Sequence, residues 1–172
     1  MAVSNSAVLA SRTSSSRADS GPVLHVVLVA PEIPPNTGSI ARLCAATGTC
    51  LHLVRPLGFS LDDRYLKRAG LDYWPHVDVH VYDDWQQFVQ QRQPERLHLF
   101  SARAPRSYLR AAYARGDFLV FGCETKGLPA PLLAAYRDET YVIPIANPQV
   151  RSLNLSNAVS IVVYEALRQL GS

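Results

Sequence analysis

Short apolar segments alternate with amphipathic segments along the chain from Val23 onward. Residues 24–30 are apolar except for His25, a pattern typical of a strand that is buried on both faces. The clearest helix is predicted at residues 155–170, where apolar side chains recur at intervals of three and four residues. This alternation of strands and helices predicts an α/β fold with a mostly parallel sheet flanked by helices.

The same patterns predict the remaining elements. Strands are expected at residues 51–54, 77–82, 97–101, 118–122 and 141–145, and helices at residues 37–47, 62–69, 83–93 and 129–136. Asn36 or Thr37 is the expected cap of the first of these helices, and Gly48 is its expected stop. We find no internal repeat and no second core, so residues 23–172 are predicted to form one domain.

Residues 1–22 differ from the rest of the chain in composition. They contain seven serines and three charged residues but no aromatic residue. Such a segment buries too little apolar surface to offset the entropy lost on ordering, so we predict a disordered leader. An organellar transit peptide is the alternative, because the segment is rich in serine and poor in acids. Asp19 and the wide spacing of Arg12 and Arg17 disfavour that alternative.

Composition narrows the classes of function. The chain has 172 residues, of which 48% are hydrophobic and 18% charged, and no apolar run is long enough to span a bilayer. The net charge of +3 permits nucleic-acid binding but is far below that of a non-specific binder. The three cysteines form no CxxC pair, so a disulfide framework is not predicted and a cytoplasmic location is expected. The five histidines do not fall in ligand-like clusters with cysteines or carboxylates, so no structural metal is predicted.

Three polar segments follow predicted strands, at residues 34–42, 121–129 and 151–158. Ligands of open α/β sheets collect at the carboxyl ends of strands. In the first segment, free N–H groups at the helix start are expected to hold an anion such as an RNA phosphate. Arg42 lies one turn inside the predicted helix and off its apolar stripe, so it is expected to reach the same site. An ordinary capped helix with a solvated arginine explains this segment equally well by itself.

The second and third segments carry glycines and hydrogen-bonding side chains. Gly122 and Gly127 allow the backbone to approach a ligand closely. Cys123 is disfavoured as a nucleophile, because no neighbouring histidine is present to lower its pKa. The third segment has more serine and asparagine side chains than one helix cap requires, which indicates a ligand. The chain has no Walker A, GxGxxG or GxSxG sequence. This disfavours a P-loop protein, a nicotinamide-dinucleotide enzyme and an α/β hydrolase.

Taken together and in order, these segments resemble the SPOUT superfamily of RNA methyltransferases over residues 24–171. The matching positions are Asn36-Thr37-Gly38, Ile40, Arg42, Phe121-Gly122, Glu124, Gly127-Leu128 and Arg151-Ser152-Leu153-Asn154-Leu155-Ser156-Asn157-Ala158. Residues 31–36, 68–73 and 154–160 are similar to the small single-domain tRNA (cytidine/uridine-2′-O)-methyltransferases of the wobble position in leucine tRNAs. The chain departs from the family pattern at Cys123 and Lys126, and neither change removes a polar group that the chemistry needs.

The resemblance implies a SPOUT-type α/β fold with a C-terminal trefoil knot, although general topology rules argue against knots. It also implies a homodimer with each active site at the interface. The implied reaction moves a methyl group from S-adenosyl-L-methionine to the ribose 2′-hydroxyl of the wobble nucleotide, and requires no metal. The alternatives are 2′-O-methylation at another tRNA or rRNA position and a tRNA-binding module without catalysis.

The resemblance also assigns roles to individual residues. The implied catalytic residues are Arg42, Asn36, Ser152 and Asn154. The implied cofactor-binding residues are Phe100, Gly122, Glu124, Gly127, Leu128, Ile143, Ser152 and Leu153, with Leu128 and Ile143 as the walls for adenine. Arginine is almost never deprotonated in proteins, so we expect Arg42 to bind a phosphate and stabilise the developing alkoxide. Glu124 is expected to fix Asn36 or its loop.

Cations near the site are candidates for binding the tRNA backbone. Three of them lie on one face of the predicted helix at residues 62–69, three follow Ser101, and one begins the third segment: Arg64, Lys67, Arg68, Arg103, Arg106, Arg110 and Arg151. A solvated charged face explains any single one of them. As a set, they are predicted to contact phosphates.

Overall fold

The computed structural model describes residues 21–61 and 76–171. The predicted helix at residues 62–69 and residues 1–20 of the predicted leader lie outside the described residues. Within the described ranges, no helix is long and apolar enough to cross a bilayer.

Seven strands of the described chain form one sheet in the order β3-β2-β1-β6-β4-β7-β5. Every pair of neighbouring strands is parallel, which confirms the predicted parallel sheet. The strands are β1 (His25–Val29), β2 (Cys50–Val54), β3 (Val79–Tyr82), β4 (Leu97–Phe100), β5 (Arg106–Ser107), β6 (Phe118–Phe121) and β7 (Thr140–Val142).

Helices cover both faces of this sheet. The α-helices are α1 (Pro34–Thr47), α2 (Trp85–Arg92), α3 (Ala130–Ala135) and α4 (Leu155–Leu170), with 3₁₀ turns at Tyr108–Arg110 and Arg137–Glu139. The predicted final helix is confirmed as α4. Gly48 ends α1 in the left-handed conformation with φ of 65°, as expected of a C-terminal glycine.

Two cores lie on opposite faces of the sheet. One packs against α1 and α4 and includes Val26 and Leu28 from β1 and the preceding Leu24. The other packs against α2 and α3 and includes Val27 and Val29 from the same strand. Successive side chains of a strand point to opposite faces, so both faces of β1 are buried. This explains why the predicted strand at residues 24–30 shows no alternation of polar and apolar residues.

Three elements differ clearly from the predictions. Strand β7 covers Thr140–Val142 and ends three residues before the predicted end at residue 145. Helix α1 begins at Pro34, three residues before the predicted start, because proline suits the first positions of a helix, where no N–H partner is required. Strand β5 was not predicted, because it consists of only Arg106 and Ser107, which carry no apolar pattern. It forms by pairing with Tyr141 and Val142 of β7.

The expectation that the histidines form no ligand-like cluster with cysteines or carboxylates is wrong. The parallel register places His25 beside Cys50, and His52 beside His80. The members of each pair are distant in sequence, and strand pairing brings them together towards the amino ends of β1, β2 and β3. At the opposite ends of the neighbouring strands β1 and β6 lie the polar segments 34–42 and 121–129.

Candidate active site

The backbone N–H groups at the start of α1 are hydrogen-bonded within the protein. Pro34 and Pro35 have no N–H group, and the N–H groups of Asn36 and Thr37 donate to the carbonyl oxygen of Ile33 at 3.1 and 3.4 Å. Ile33 is the N-cap residue and contributes no side-chain bond. The predicted cap at Asn36 or Thr37 is therefore wrong, because the two prolines extend the helix backwards. The predicted set of free N–H groups for a phosphate is wrong for the same reason.

The Glu124 carboxylate occupies the place beside α1 that the sequence suggested for an anion. It accepts hydrogen bonds from the backbone N–H groups of Glu32 at 2.8 Å and Ile33 at 3.1 Å. It also accepts from the Asn36 amide nitrogen Nδ2 at 3.0 Å. The protein therefore supplies its own anion at the start of α1. Hydrogen bonds to a carboxylate are stronger than those between neutral groups. The expectation that Glu124 fixes Asn36 is confirmed.

A second carboxylate bonds in the opposite direction. Glu32 accepts from the backbone N–H of Thr125 at 3.2 Å and from its hydroxyl at 2.9 Å. The loops before α1 and after β6 therefore hold each other through two carboxylates, Glu32 and Glu124. Glu32 and Thr125 were not predicted as site residues from the sequence. The only available signal was an acid placed between an apolar strand and two prolines.

Asn154 brings the third polar segment to the same place. Its Nδ2 donates to Oδ1 of Asn36 at 2.9 Å. Its own Oδ1 caps α4 by accepting from the N–H of Ser156 at 2.9 Å and from that residue's hydroxyl at 2.6 Å. The hydrogen-bonded chain from Glu124 through Asn36 to Asn154 therefore joins all three segments that the sequence analysis selected. Asn36 is only 7% exposed, which makes it the buried link of this network.

Gly122 and Gly127 shape the loop after β6. A Cβ atom on Gly122 would lie 2.0 Å from the carbonyl carbon of Gly127 and 2.1 Å from the nitrogen of Leu128. Gly127 has φ of 71°, and its N–H donates to the Cys123 carbonyl oxygen at 2.9 Å. The close approach at Gly122 is thus between two parts of the same loop, and not only towards a ligand as the sequence suggested.

The apolar candidates for the cofactor site have different environments. Phe100 stacks on Phe121 at 4.8 Å between ring centroids. Leu128 is buried in the core beside α3, whereas Ile143 packs against the core on the other face of the sheet. Because they lie on opposite faces of the sheet, Leu128 and Ile143 can contact the same adenine ring only at the edge of the sheet. Leu153 is 36% exposed, next to the exposed Ser152.

Arg42 is exposed on α1. It follows Asn36 by six residues, which corresponds to about 9 Å along the axis and about 240° around it in an α-helix. The two side chains therefore leave α1 in different directions, and Arg42 does not share the buried side of Asn36. That Arg42 and Asn36 act at one site stays a prediction.

The predicted RNA-binding cations fall into three groups. Arg64, Lys67 and Arg68 lie outside the described residues. Arg103, Arg110 and Arg151 are exposed. Arg106 is used within the protein, because its guanidinium donates to the carbonyl oxygens of Arg137 and Asp138 and lies 5.4 Å from the Tyr141 ring centroid.

Replacing Glu124 with glutamine is expected to lower the free energy of unfolding by about 1–3 kcal/mol. Three donors point at the carboxylate, and the glutamine NH₂ group must face at least one of them, which leaves a donor without an acceptor. Urea unfolding followed by circular dichroism measures the change. Glu95→Gln, at an exposed glutamate, is the matched control and is expected to change stability by less than about 0.5 kcal/mol. Equal stability of the two variants would contradict the role of this carboxylate.

The chain is an α/β protein whose parallel sheet has polar loops joined at the carboxyl ends of its strands, the edge at which ligands of such sheets collect. A family model described as the SpoU rRNA Methylase family matches residues 23–164. The chain belongs to this family.

Named relatives and solved structures agree with this membership. A Burkholderia cenocepacia protein named tRNA (cytidine(34)-2′-O)-methyltransferase is 50% identical over 151 residues, which cover 87% of this chain and 97% of that protein. A protein of the same name from Escherichia coli is 49% identical over 87% of this chain and 95% of its own length. A solved structure described as giving insights into the 2-OH methylation of C/U34 on tRNA is 50% identical, with a TM-score of 0.81 over 86% of this chain and 96% of that chain. An AdoMet-bound rRNA methyltransferase from Sinorhizobium meliloti is 25% identical, with a TM-score of 0.76 over 87% of this chain and 57% of that chain.

Proposed function

We propose that the chain transfers a methyl group from S-adenosyl-L-methionine to the ribose 2′-hydroxyl of the wobble nucleotide of a tRNA. The observation that carries this proposal is the hydrogen-bonded chain Glu124–Asn36–Asn154, which gathers three separate polar segments at one edge of the sheet. Support for the position comes from relatives of about 50% identity whose names specify cytidine 34. From the resemblance of residues 31–36, 68–73 and 154–160 to enzymes of leucine tRNAs, we also propose leucine tRNAs as the substrates.

The residues at this edge suit S-adenosyl-L-methionine. An adenosyl group needs an apolar surface for its base and hydrogen-bonding groups for its ribose. Val150 and Leu153 expose 44% and 36% of their surface, and they flank the exposed hydroxyl of Ser152 in the segment that leads to Asn154. When bound, S-adenosyl-L-methionine supplies a methyl carbon that is activated by its attachment to the sulfonium sulfur.

The protein's task is to orient the ribose and to stabilise the charge that develops on its 2′-oxygen. Among the described residues, the Ser152 hydroxyl makes no hydrogen bond, so it is the candidate to contact the ribose. Asn36 and Asn154 are bonded to each other and to fixed partners, so we assign them to positioning. Arg42 would bind the adjacent phosphate and stabilise the alkoxide. Phe100, Gly122, Gly127, Leu128 and Ile143 remain the proposed cofactor contacts.

We further propose that two copies of the chain form a homodimer with each active site at the interface. In α4, which otherwise packs against α1, Ile161 is 37% exposed and Tyr164, three residues later on the same side of the helix, is 58% exposed. Between these helices runs a groove of about 450 Å³, lined by residues that include Ala46, Tyr164 and Leu167. Arg42 leaves α1 away from Asn36, so it would serve the site of the partner copy. Sedimentation at micromolar concentration tests this, and a monomer would contradict it.

A C-terminal trefoil knot is also proposed. Support comes from the chain path: β7 lies between β4 and β5, whereas the next element, α4, contributes to the core beside α1 and β1. The segment between them must therefore cross back over two strands. A knotted chain pulled from both ends in an optical trap would stop short of its contour length. Full extension would contradict the knot.

We also propose a single domain and a cytoplasmic location for this chain. We propose one methyltransferase domain over residues 23–172, because the two cores share a single sheet. A reducing cytoplasm suits the three free cysteines and is where the tRNA substrate would be met. Separate unfolding transitions for parts of this range would contradict the single domain.

The decisive experiment is incubation of the purified chain with methyl-labelled S-adenosyl-L-methionine and total tRNA. Mass spectrometry of nuclease fragments is expected to find one 2′-O-methyl group at the wobble nucleotide. Methylation at another tRNA or rRNA position would correct the site. Binding of tRNA without label transfer would instead favour a binding module, and calorimetry with the cofactor alone then distinguishes a loss of cofactor binding from a loss of chemistry.

A further inference from the structure

A second group of reactive side chains lies at the amino ends of β1, β2 and β3. Cross-strand pairing puts His25 beside Cys50 and His52 beside His80, and Asp78 directly precedes β3. These five residues, called the histidine cluster below, lie on the sheet face covered by α2, where the His52 ring contacts Phe88 at 5.7 Å. The cluster is at the opposite end of the strands from the polar segments of the proposed active site.

The donor atoms of the histidine cluster form two overlapping groups of three that share Cys50 and are close to the spacing of a transition-metal site. The donor atoms of His25, Cys50 and His52 lie within 4.8 Å of one another, and so do those of Cys50, Asp78 and His80. Zinc binds nitrogen at about 2.0–2.1 Å and sulfur at about 2.3 Å in a tetrahedron, so neighbouring donors are roughly 3–4 Å apart. Nδ1 of His25 and Nε2 of His52 are 2.9 Å apart, and small side-chain shifts suffice for both to face one ion.

We propose that the histidine cluster binds a divalent transition-metal ion of the zinc type, with His25, Cys50 and His52 as ligands and His80 or Asp78 as the fourth. Imidazole nitrogen and thiolate sulfur suit zinc and cobalt, whereas magnesium and calcium prefer oxygen ligands. The ion would tie together the starts of three neighbouring strands. It would be structural, because it lies away from the proposed methyl-transfer site.

Neighbouring groups provide the outer shell of such a site and a route into it. A histidine bound to metal usually holds a partner through its second ring nitrogen, and Nδ1 of His52 lies 2.9 Å from the Tyr82 hydroxyl. The Tyr82 hydroxyl in turn accepts from Arg92 at 2.5 Å. Cys50 and His52 are buried, whereas the side chains of His80 and Asp78 are 38% and 60% exposed. An ion can therefore enter from the β3 side.

Binding of an ion would change the protonation of the cluster. Metal ligands must be deprotonated, so the ion would bind neutral imidazole rings and displace the thiol proton of Cys50. The Cys50 thiolate and the Asp78 carboxylate would balance the ion's charge beside Arg92.

The test is a Co²⁺ titration of the full chain, without a histidine tag and after removal of metals with a chelator. A thiolate-to-cobalt absorption band is expected to saturate at one equivalent and to disappear when Zn²⁺ is added. Cys50→Ser is expected to lose this band, whereas the control Cys123→Ser, at the other end of the sheet, is expected to keep it. No band in the unaltered chain, or the same band in Cys50→Ser, would overturn the proposal. The histidine cluster would then be only a hydrogen-bonded part of the core.

A second variant avoids the buried positions. The double variant Asp78→Asn/His80→Gln changes only the exposed side of the cluster, and it is expected to bind Zn²⁺ at least tenfold more weakly in competition with a chromophoric chelator. Unchanged affinity would also contradict the proposal. Metal binding is read from absorption and not from activity. Since the cluster lies away from the proposed active site, chelation is expected to leave methyl transfer unchanged, and either proposal can fail without the other.

Discussion

Replacing Gly122 with alanine is expected to abolish cofactor binding and to destabilise the protein by more than about 3 kcal/mol, at the upper end of overpacking effects. The new methyl group would meet backbone atoms of Gly127 and Leu128 at 2.0 and 2.1 Å. Neither atom belongs to a flexible side chain, so the loop after β6 has to open. Opening would also displace Glu124 from α1 and so break the bond to Asn36.

Two other glycines provide graded controls for this substitution. Gly127→Ala meets no atom within 4 Å but must adopt φ of 71°, which costs about 1–2 kcal/mol. Gly21→Ala has neither constraint and is expected to leave stability within about 0.5 kcal/mol of the parent. Urea unfolding and calorimetry with S-adenosyl-L-methionine measure both effects. If Gly122→Ala were no worse than Gly127→Ala, the tight loop would not be required.

Replacing Arg42 with alanine is expected to lower kcat by about 10²–10³-fold at saturating cofactor and tRNA, the size of effect seen when one donor to a developing oxyanion is lost. Arg42→Lys is expected to recover only part of this loss, because lysine keeps the charge but cannot form the two parallel bonds that arginine makes to a phosphate. The side chain is exposed on α1, so both variants are expected to fold normally.

The matched control for Arg42 is Arg137→Ala, another exposed arginine, on the turn after α3. It is expected to leave kcat unchanged and to affect KM little. Unchanged kcat in both Arg42 variants would remove this residue from the proposed mechanism. Mixing Arg42→Ala chains with chains altered at Ser152 adds a test of the dimer, since sites shared between copies would restore part of the activity.

Much of the site was predictable because its residues are unusual for their positions. Asn36, Glu124 and Asn154 all lie in polar segments that follow apolar strands or precede an apolar helix, and the structure joins them directly. Glu32 and Thr125 were missed, because their partnership spans 93 residues and neither residue is unusual where it stands. The sequence correctly indicated an anion at the start of α1. The anion was expected to be an RNA phosphate, but it is the carboxylate of Glu124.

The sequence by itself determined the alternation of elements, the parallel sheet and the three polar segments, because hydrophobic periodicity and helix-terminal residues are local properties of the chain. Only the tertiary structure decided which side chains meet. Strand register placed His25 beside Cys50 and His52 beside His80, and loop packing turned Glu124 towards α1. Such pairings depend on contacts between residues far apart in the chain, and no local pattern encodes them.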